Sequence, residues 1–146
     1  MENIGWKIID KMFKENPQFL IKHHIDSYNN FFDKKIYNII KEKNPIKILK
    51  DKNEETKNYN LQAEIYFGGK EGKNLYFGKP IIFDKNREHY MFPNEARLRN
   101  MSYSITLHMD IDIIYKTYNK DGIEEIKELK LEKIYFGKFP IMLNSN

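Results

Sequence analysis

Residues 101–115 carry the strictest pattern in the chain, because an apolar side chain stands at every odd position. A period of two puts all of these side chains on one face of an extended strand. We therefore predict a long, half-buried β-strand over 101–115, and any fold for this chain has to accommodate it. The apolar positions are Met101, Tyr103, Ile105, Leu107, Met109, Ile111, Ile113 and Tyr115.

The segment after this strand predicts its antiparallel partner. Lys120-Asp121-Gly122 is a turn sequence, and residues 126–136 then alternate through Leu129 and Leu131. The alternation shifts phase at Glu132-Lys133, before Ile134 and Phe136. A phase shift within a strand is typical of a β-bulge, so we predict one at Glu132-Lys133.

Shorter extended segments precede the long strand. Residues 59–67 alternate in the same way, and a turn follows at residues 68–72. A second strand region covers 74–83, where Pro80 indicates a sheet edge or a strand end. We predict a further turn at Asp84-Lys85-Asn86 and a short extended piece over 89–92.

The first third of the chain has helical periodicity instead. Trp6, Ile9 and Phe13 recur at helical spacing, and Asn16-Pro17 ends that helix. A longer apolar stripe runs over 19–42 and ends at Asn44-Pro45. Residues 46–58 are rich in lysine, glutamate and asparagine, which predicts an exposed connection.

Helices followed by antiparallel hairpins predict an α+β fold, with the helices packed on a mainly antiparallel sheet. The length of 146 residues indicates a single domain over 1–146. Within it we expect a helical part over 1–44, an exposed connection over 45–58 and a sheet part over 59–143.

Composition narrows the function class only modestly. The absence of cysteine excludes disulfides and cysteine-based zinc sites, and it favours an intracellular compartment. No run of residues approaches the roughly 20 apolar positions of a membrane span, so we expect no membrane partner. The net charge of +4 is compatible with a polyanionic partner, although lysines that serve only solubility explain it as well.

A search for catalytic or metal-binding motifs finds no active site, so we expect no catalytic residue and no metal ligand in this chain. The histidines lack the spacing of a zinc site. Asp110 and Asp112 could together bind a divalent cation, but the polar face of a strand explains them better. The glycine-rich residues 68–73 lack the order of a phosphate-binding loop and open no helix.

Arg97 and Arg99 are the most informative charged pair, because the chain contains only three arginines and otherwise uses lysine. Arginine makes forked hydrogen bonds to carboxylates and phosphates that lysine cannot make. The two side chains lie on the same side if the segment is extended and apart if it is helical. One interpretation is a structural ion pair with Glu95 or another acidic neighbour, and the other is contact with a nucleic-acid backbone.

Three blocks of the sequence resemble the second-largest subunit of multisubunit DNA-dependent RNA polymerases of the eukaryotic, archaeal and large-DNA-virus type. One block runs from residues 65–68 through Lys79-Pro80 to residues 92–104, and it is similar to the family's Tyr-Pro-x-Glu-(Ala/Cys)-Arg-x-Arg-(Asn/Asp)-Leu-Thr-Tyr-Ser stretch. Residues 6–10 with 20–29 resemble the opening of that subunit, and residues 136–143 resemble its Gly-(Arg/Lys)-x-Pro-Ile-Met-Leu segment. The blocks occur in the family order and cover almost the whole chain.

The resemblance implies the N-terminal protrusion region of that subunit, an α+β module that forms a wall of the nucleic-acid cleft and offers a surface to initiation factors. It implies partners as well: the largest subunit, the rest of the second-largest subunit and DNA. Family chemistry is nucleotidyl transfer with magnesium, whose ligands come from elsewhere, so we expect no cofactor in this chain. Localisation would follow the transcription machinery, in the nucleus, or in the cytoplasm or virion for a viral protein.

Length is the departure from the family, whose subunit is many times longer. Residues 136–146 lead towards a lobe that this sequence does not include, so we expect a fragment, a split gene product or a free-standing remnant. The alternative function is a free-standing module that binds nucleic acid or a polymerase. In either case the residues that we expect to meet nucleic acid or form a structural ion pair are Arg97, Arg99, Glu95, Lys79 and Lys138.

Overall fold

The computed structural model describes residues 4–54, 59–84, 87–118 and 124–145, and helices lead the chain. They are α1 (Ile4–Glu15), α2 (Lys22–Asn30), a π-helical segment (Phe31–Lys35) and α3 (Ile36–Lys43). The last three form one continuous helical run, and α1 ends just before Asn16-Pro17, so both predicted helical patterns are confirmed.

Strands dominate the rest of the chain, with one short helix among them. The elements are β1 (Ile46–Lys52), β2 (Tyr59–Phe67), β3 (Leu75–Gly78), β4 (Ile81–Asp84), β5 (Arg87–Tyr90), α4 (Pro93–Leu98), β6 (Ser104–Tyr118) and β7 (Glu124–Pro140). Together with the helical run they confirm the α+β class.

The long strand β6 organises the main sheet, in which every pairing is antiparallel. Strand β7 pairs with β6 from end to end, from Ser104 opposite Pro140 to Tyr118 opposite Glu124. On the other edge of β6, β2 pairs with its C-terminal half and β3 with its N-terminal half. Strand β1 extends the sheet beyond β2. Because β2 and β3 follow one another along the same edge, they act as one strand interrupted by residues 68–74.

Asp110 stands where that interruption meets β6. The main-chain N–H groups of Gly68 and Gly69 both donate to the carbonyl oxygen of Asp110, at 2.7 and 3.3 Å. Gly68 has a φ of +71°, and a Cβ at this position would lie 3.0 Å from the carbonyl carbon of Gly72. Since L-residues avoid this φ and the neighbour is main chain, glycine is required where the loop leaves β2.

The side chain of Asp110 accepts hydrogen bonds from both edges of β6. Its Oδ1 accepts the main-chain N–H of Lys133 at 2.9 Å, and its Oδ2 accepts bonds from Asn74 Nδ2 and the Tyr76 hydroxyl, both at 3.1 Å. The register of β7 shifts between Met109 and Ile111 of β6, which leaves Glu132 and Lys133 opposite Asp110. The predicted bulge at Glu132-Lys133 is therefore confirmed, with Lys133 at a φ of 49°.

The helical run covers one face of this sheet and forms the main core. Leu107 and Met109 are fully buried against Ile36. The π-helical turn presents adjacent phenylalanines to the sheet: the rings of both Phe31 and Phe32 lie about 6 Å from that of Phe139.

Asn44 fastens the C-terminal end of the helical run to β2. Its Nδ2 donates to the carbonyl oxygen of Phe67 at 2.7 Å, and its Oδ1 accepts the Phe67 N–H at 3.0 Å. This side chain thereby satisfies both polar main-chain groups of one strand residue, at the point where β2 turns into the 68–74 loop.

A second, smaller core lies under the β4–β5 ribbon. The two strands pair as a hairpin that is separate from the main sheet. Ile82, Met91 and Ala96 are buried together there, with Tyr103 packed against them. This core joins the ribbon to α4 and to the chain that enters β6.

Several predicted boundaries are wrong. The predicted connection over 45–58 contains β1, whose residues are exposed but paired with β2, because main-chain hydrogen bonds outweigh the polar composition. The long strand covers 104–118 instead of 101–115, since Met101 donates its N–H to Ala96 in the chain reversal after α4. The strand region 74–83 is two strands separated at Lys79-Pro80.

Other predictions fall partly or wholly beyond the described ranges. The turn at Lys120-Asp121-Gly122, residues 85–86 of the Asp84-Lys85-Asn86 turn and residues 55–58 of the predicted connection are not described. The turn at 68–72 is confirmed. The extended piece predicted over 89–92 exists as β5, but it covers Arg87–Tyr90, two residues earlier.

The Asp110 junction makes a testable prediction about acid stability. The hydrogen bond from the Lys133 N–H, supported by those from Tyr76 and Asn74, lowers the pKa of Asp110 below its ordinary value of 3.8. A carboxyl group with a lowered pKa in the folded state stabilises the fold above its unfolded pKa, and this stabilisation is lost as the pH falls through the folded value. We expect Asp110→Asn to lower the Tm at pH 7 by roughly 3–8 °C, and the difference from the wild type to shrink below about pH 4.

Asp112→Asn is the matched control, because its carboxylate lies on the same strand without a hydrogen bond to any described residue. Thermal unfolding followed by circular dichroism between pH 2 and pH 7 measures both variants. Equal Tm values for the two variants at pH 7 would contradict the role given to Asp110.

Candidate functional site

The segment that carries Arg97 and Arg99 is helical. Phe92 is extended, Pro93 occupies the first turn of α4, and the helix ends at Leu98. Proline suits this position because its missing N–H would have no partner in the first turn. Asn100 then takes a φ of 53°, which reverses the chain towards β6. The helical geometry decides between the two arrangements left open by the sequence, and it directs the two arginines apart.

Arg99 is engaged in the structure of the module. Its guanidinium lies 3.1 Å from the carboxylate of Asp84 and 3.0 Å from that of Glu95. The hydrogen bond to Asp84, with the added charge of Glu95, raises the pKa of Arg99 above its ordinary value. The Glu95 carboxylate also lies 3.2 Å from Nε2 of His89. Arg99 and Glu95 therefore join α4 to both strands of the ribbon.

Arg97 points in another direction. Its side chain is exposed and forms no ion pair or hydrogen bond with any residue in the described ranges. Its neighbour Leu98 is 87% exposed, so the described residues leave this side of α4 uncovered. An unpaired guanidinium beside it remains available to a partner.

The two candidate lysines lie on different elements. Lys79 precedes β4, and its ammonium stands 5.5 Å from the centre of the Tyr90 ring. It lines a cleft of about 600 Å³ between the ribbon and the helical run. Lys138 lies on β7 opposite Thr106, exposed and without an ion pair to a described residue. The structure thus brings Arg99 and Glu95 together and leaves Arg97 and Lys138 without an ion pair to any described residue.

The histidines and acidic residues of the described ranges are spread over several elements. Within those ranges, no three His, Asp or Glu side chains stand close enough to hold a metal ion. The rings of His23 and His24 lie 4.0 Å apart, while His108 packs on Tyr135. The glycines at 68–72 form the loop between β2 and β3.

Sequence reasoning did not single out the exposed apolar surface. In α1 no residue is buried, so both Trp6 and Ile9 remain on the surface. On the ribbon, Phe83 and Tyr90 are exposed as well. Periodicity identified the apolar side of α1, but a pattern within one helix carries no information on which element covers it.

With this geometry established, comparison with known proteins gives the family. A sequence model described as RNA polymerase beta subunit matches residues 19–146, which is most of the chain. The chain belongs to the RNA polymerase beta subunit family. It corresponds to the N-terminal region of the second-largest subunit, as the resemblance implied.

Relatives in the polymerase family come from eukaryotes and archaea. DNA-directed RNA polymerase II subunit 2 of Arabidopsis thaliana is 29% identical over 97% of this chain and 12% of the relative. DNA-directed RNA polymerase subunit Rpo2N of Methanothermobacter thermautotrophicus is 30% identical over 99% of this chain and 23% of the relative. Subunit Rpo2 of Saccharolobus shibatae is 32% identical over 96% of this chain and 10% of the relative. The chain spans less than a quarter of the length of these relatives.

Within residues 4–54, 59–84, 87–118 and 124–145, no helix is both long enough and apolar enough to cross a membrane.

The different surroundings of the two arginines predict different effects on the stability of this polymerase module. We expect Arg99→Ala to lower the Tm, because Asp84 and Glu95 lose their shared cation and α4 loses its tie to the ribbon. We expect Arg97→Ala to leave the Tm unchanged, since its side chain contacts no described partner. Differential scanning calorimetry of the two variants measures this directly, and a larger loss for Arg97→Ala would overturn the assignment.

Proposed function

We propose that this chain works as the N-terminal part of the second-largest subunit in an assembled DNA-directed RNA polymerase. The observation that carries the proposal is the family match over residues 19–146. The chain would serve transcription as a structural module of the enzyme, forming a wall of the nucleic-acid cleft and a surface for initiation factors. By itself it would be non-catalytic.

The chemistry supports a structural role over a catalytic one. The described residues include no cluster suited to a metal ion, and their strongest polar groups are used to hold the fold together. Magnesium-dependent nucleotidyl transfer would therefore take place elsewhere in the assembled enzyme, with ligands from other parts of it. This module would contribute shape and contacts.

Helix α1 supports the idea of an assembled enzyme. Its side chains Trp6, Ile9 and Phe13 recur along one side, and they are 69%, 46% and 38% exposed. The ion pair Lys11–Glu15 lies on the opposite side, and the pair Lys14–Asp10 lies along the flank between the two sides. A helix of twelve residues with an uncovered apolar side is marginal in water and gains stability when a partner covers that side. We infer that other polymerase subunits, or the rest of the second-largest subunit, pack against the apolar side of α1.

Co-purification tests this proposal. A tagged chain expressed in its source cells should bring down the largest polymerase subunit, identified by mass spectrometry. We expect the double variant Trp6→Glu, Ile9→Glu to lose most of this co-purification, roughly tenfold or more, because it places two charges on the apolar side of α1. Its circular dichroism spectrum should still show the folded sheet.

The double variant Lys11→Gln, Lys14→Gln is the matched control, because it changes two lysines of the same helix outside its apolar side. It should co-purify like the wild type. Failure of the wild-type chain to recover the largest subunit would overturn the proposed function and favour a free-standing module.

Arg97 is the residue that we propose for contact with the DNA backbone in the polymerase cleft, with Lys79 and Lys138 as weaker contributors. A phosphate contact releases a counterion, so the affinity for duplex DNA should depend steeply on salt. We expect Arg97→Ala to reduce the slope of log K against log salt by about one unit. Fluorescence anisotropy with labelled duplex DNA over a salt series measures the slope. An unchanged slope would exclude the phosphate contact.

A further inference from the structure

The outer edge of β7 has no strand beside it in the described part of the chain. There β7 pairs with β6, and the main-chain N–H and C=O groups of its other edge face outwards. Every residue from Glu124 to Lys130 is exposed, and Leu129 is 45% exposed. The helical run packs over Leu107 and Met109, towards the other end of β7, so it leaves this end of the edge open. An open edge of this kind is a template for another strand.

The sequence of β7 decides whether a second copy of the same strand fits this edge. Two copies that pair about a two-fold axis run antiparallel. Directly opposite residues share a face of the sheet, whereas consecutive residues of one strand alternate between faces. One residue must therefore lie opposite its own copy at the axis, and each possible register is identified by that central residue.

Most registers of β7 with its own copy contain a conflict. A register centred on a charged residue places that charge directly opposite itself, and like charges in this arrangement destabilise the pair. A register centred on Ile126 places Glu124 opposite Glu128 of the second copy. A register centred on Leu131 meets the bulge at Glu132-Lys133 immediately. These conflicts leave one centre in the part of β7 that precedes the bulge.

The register centred on Leu129 is complementary instead. It brings the two copies of Leu129 into contact at the axis, and it places Glu128 opposite Lys130 once on each side of the axis. Lys130 has no ion pair with a described residue, so its charge is available to a partner. The Glu128 carboxylate lies 3.2 Å from the Lys70 ammonium, but its side chain is still 48% exposed and can accept a second cation.

We propose that this chain forms a two-fold dimer in which the outer edges of two β7 strands pair with Leu129 at the axis. The two main sheets then form one continuous sheet. The axis carries the second helical run to the far end of the joined sheet, so the helices of the two copies stay apart. The contact is short, so the dimer is weak and its population rises with concentration. The proposal goes beyond the proposed function, because it concerns contacts between copies of the chain.

Cysteine cross-linking of the full chain tests the register, because the chain contains no cysteine of its own. Directly opposite residues of an antiparallel pair have Cα atoms about 4.5–5.5 Å apart, which suits a disulfide. We expect Leu129→Cys to give a linked dimer after oxidation with diamide, measured on a non-reducing gel.

Lys127→Cys is the matched control, because this exposed residue lies on the same face of the same strand. In the proposed register it lies opposite Leu131, and its own copy is about 13–14 Å away, too far for a disulfide. Equal yields of linked dimer from Leu129→Cys and Lys127→Cys would overturn the register.

Charge reversal tests the pairing without a covalent link. Sedimentation velocity over a concentration series measures the dissociation constant of the dimer. We expect Lys130→Glu to raise this constant roughly tenfold or more, because two pairs of like charges then face each other. The double variant Glu128→Lys, Lys130→Glu restores opposite charges in the reverse order and should dimerise like the wild type. The circular dichroism spectra of both variants should match that of the wild type.

Two results of this experiment would overturn the dimer. One is a wild-type chain that stays monomeric at every concentration, and the other is a double variant that associates no better than Lys130→Glu. If the wild type is monomeric and Lys130→Glu loses the largest polymerase subunit from co-purification, the edge binds the polymerase instead. None of these variants changes α1, so the dimer and the proposed function can fail separately.

Discussion

The hydrogen bonds of Asp110 are the interaction on which the main sheet depends. Strand β6 has three partners, and two of them change course at the level of this residue: the chain leaves β2 for the 68–74 loop, and β7 bulges at Lys133. The carbonyl oxygen of Asp110 accepts hydrogen bonds from the N–H groups of the loop, and its carboxylate accepts one from the N–H of the bulge residue Lys133. One residue thereby satisfies main-chain donors on both edges, and β6 can remain continuous while its neighbours do not. Loops at such a point would otherwise leave polar groups without partners inside a sheet.

The two clusters of buried residues stabilise different parts of the molecule. The helical run over β6 supplies the larger core through Phe31, Ile36, Tyr37 and Ile40. The ribbon with α4 has a smaller core, and charged side chains reinforce it: Arg99 and Glu95 connect the helix to both strands. This division explains why the arginine-rich segment has both structural and exposed members. Arg99 links α4 to Asp84 of the ribbon, and α4 in turn presents Arg97 and Leu98 outwards.

Uncovered apolar surface is the feature that links the fold to the family. The chain spans less than a quarter of its relatives, and α1, the ribbon and the long edge strand β7 all expose large apolar side chains. Such surfaces are typical of interaction sites in soluble proteins. Their chemistry differs, however. The apolar side of α1 suits burial against another protein element, whereas on the ribbon the ammonium of Lys79 stands over the Tyr90 ring.

The sequence by itself determined the α+β class, the helical run, the long strand and the bulge at Glu132-Lys133, because periodicity and its interruptions are local properties. It also identified the family, through short blocks in a fixed order. It missed β1, whose lysine-rich residues owe their conformation to hydrogen bonds with a strand that follows them. Only the tertiary structure decided that Arg99 has ion-pair partners and that Arg97 has none among the described residues, because the pairing of Arg99 depends on Asp84 from another element. The partners of Asp110 were decided in the same way. The sequence showed that Asp110 lies on the polar face of a strand, but its hydrogen bonds with Asn74, Tyr76 and Lys133 depend on how the chain folds.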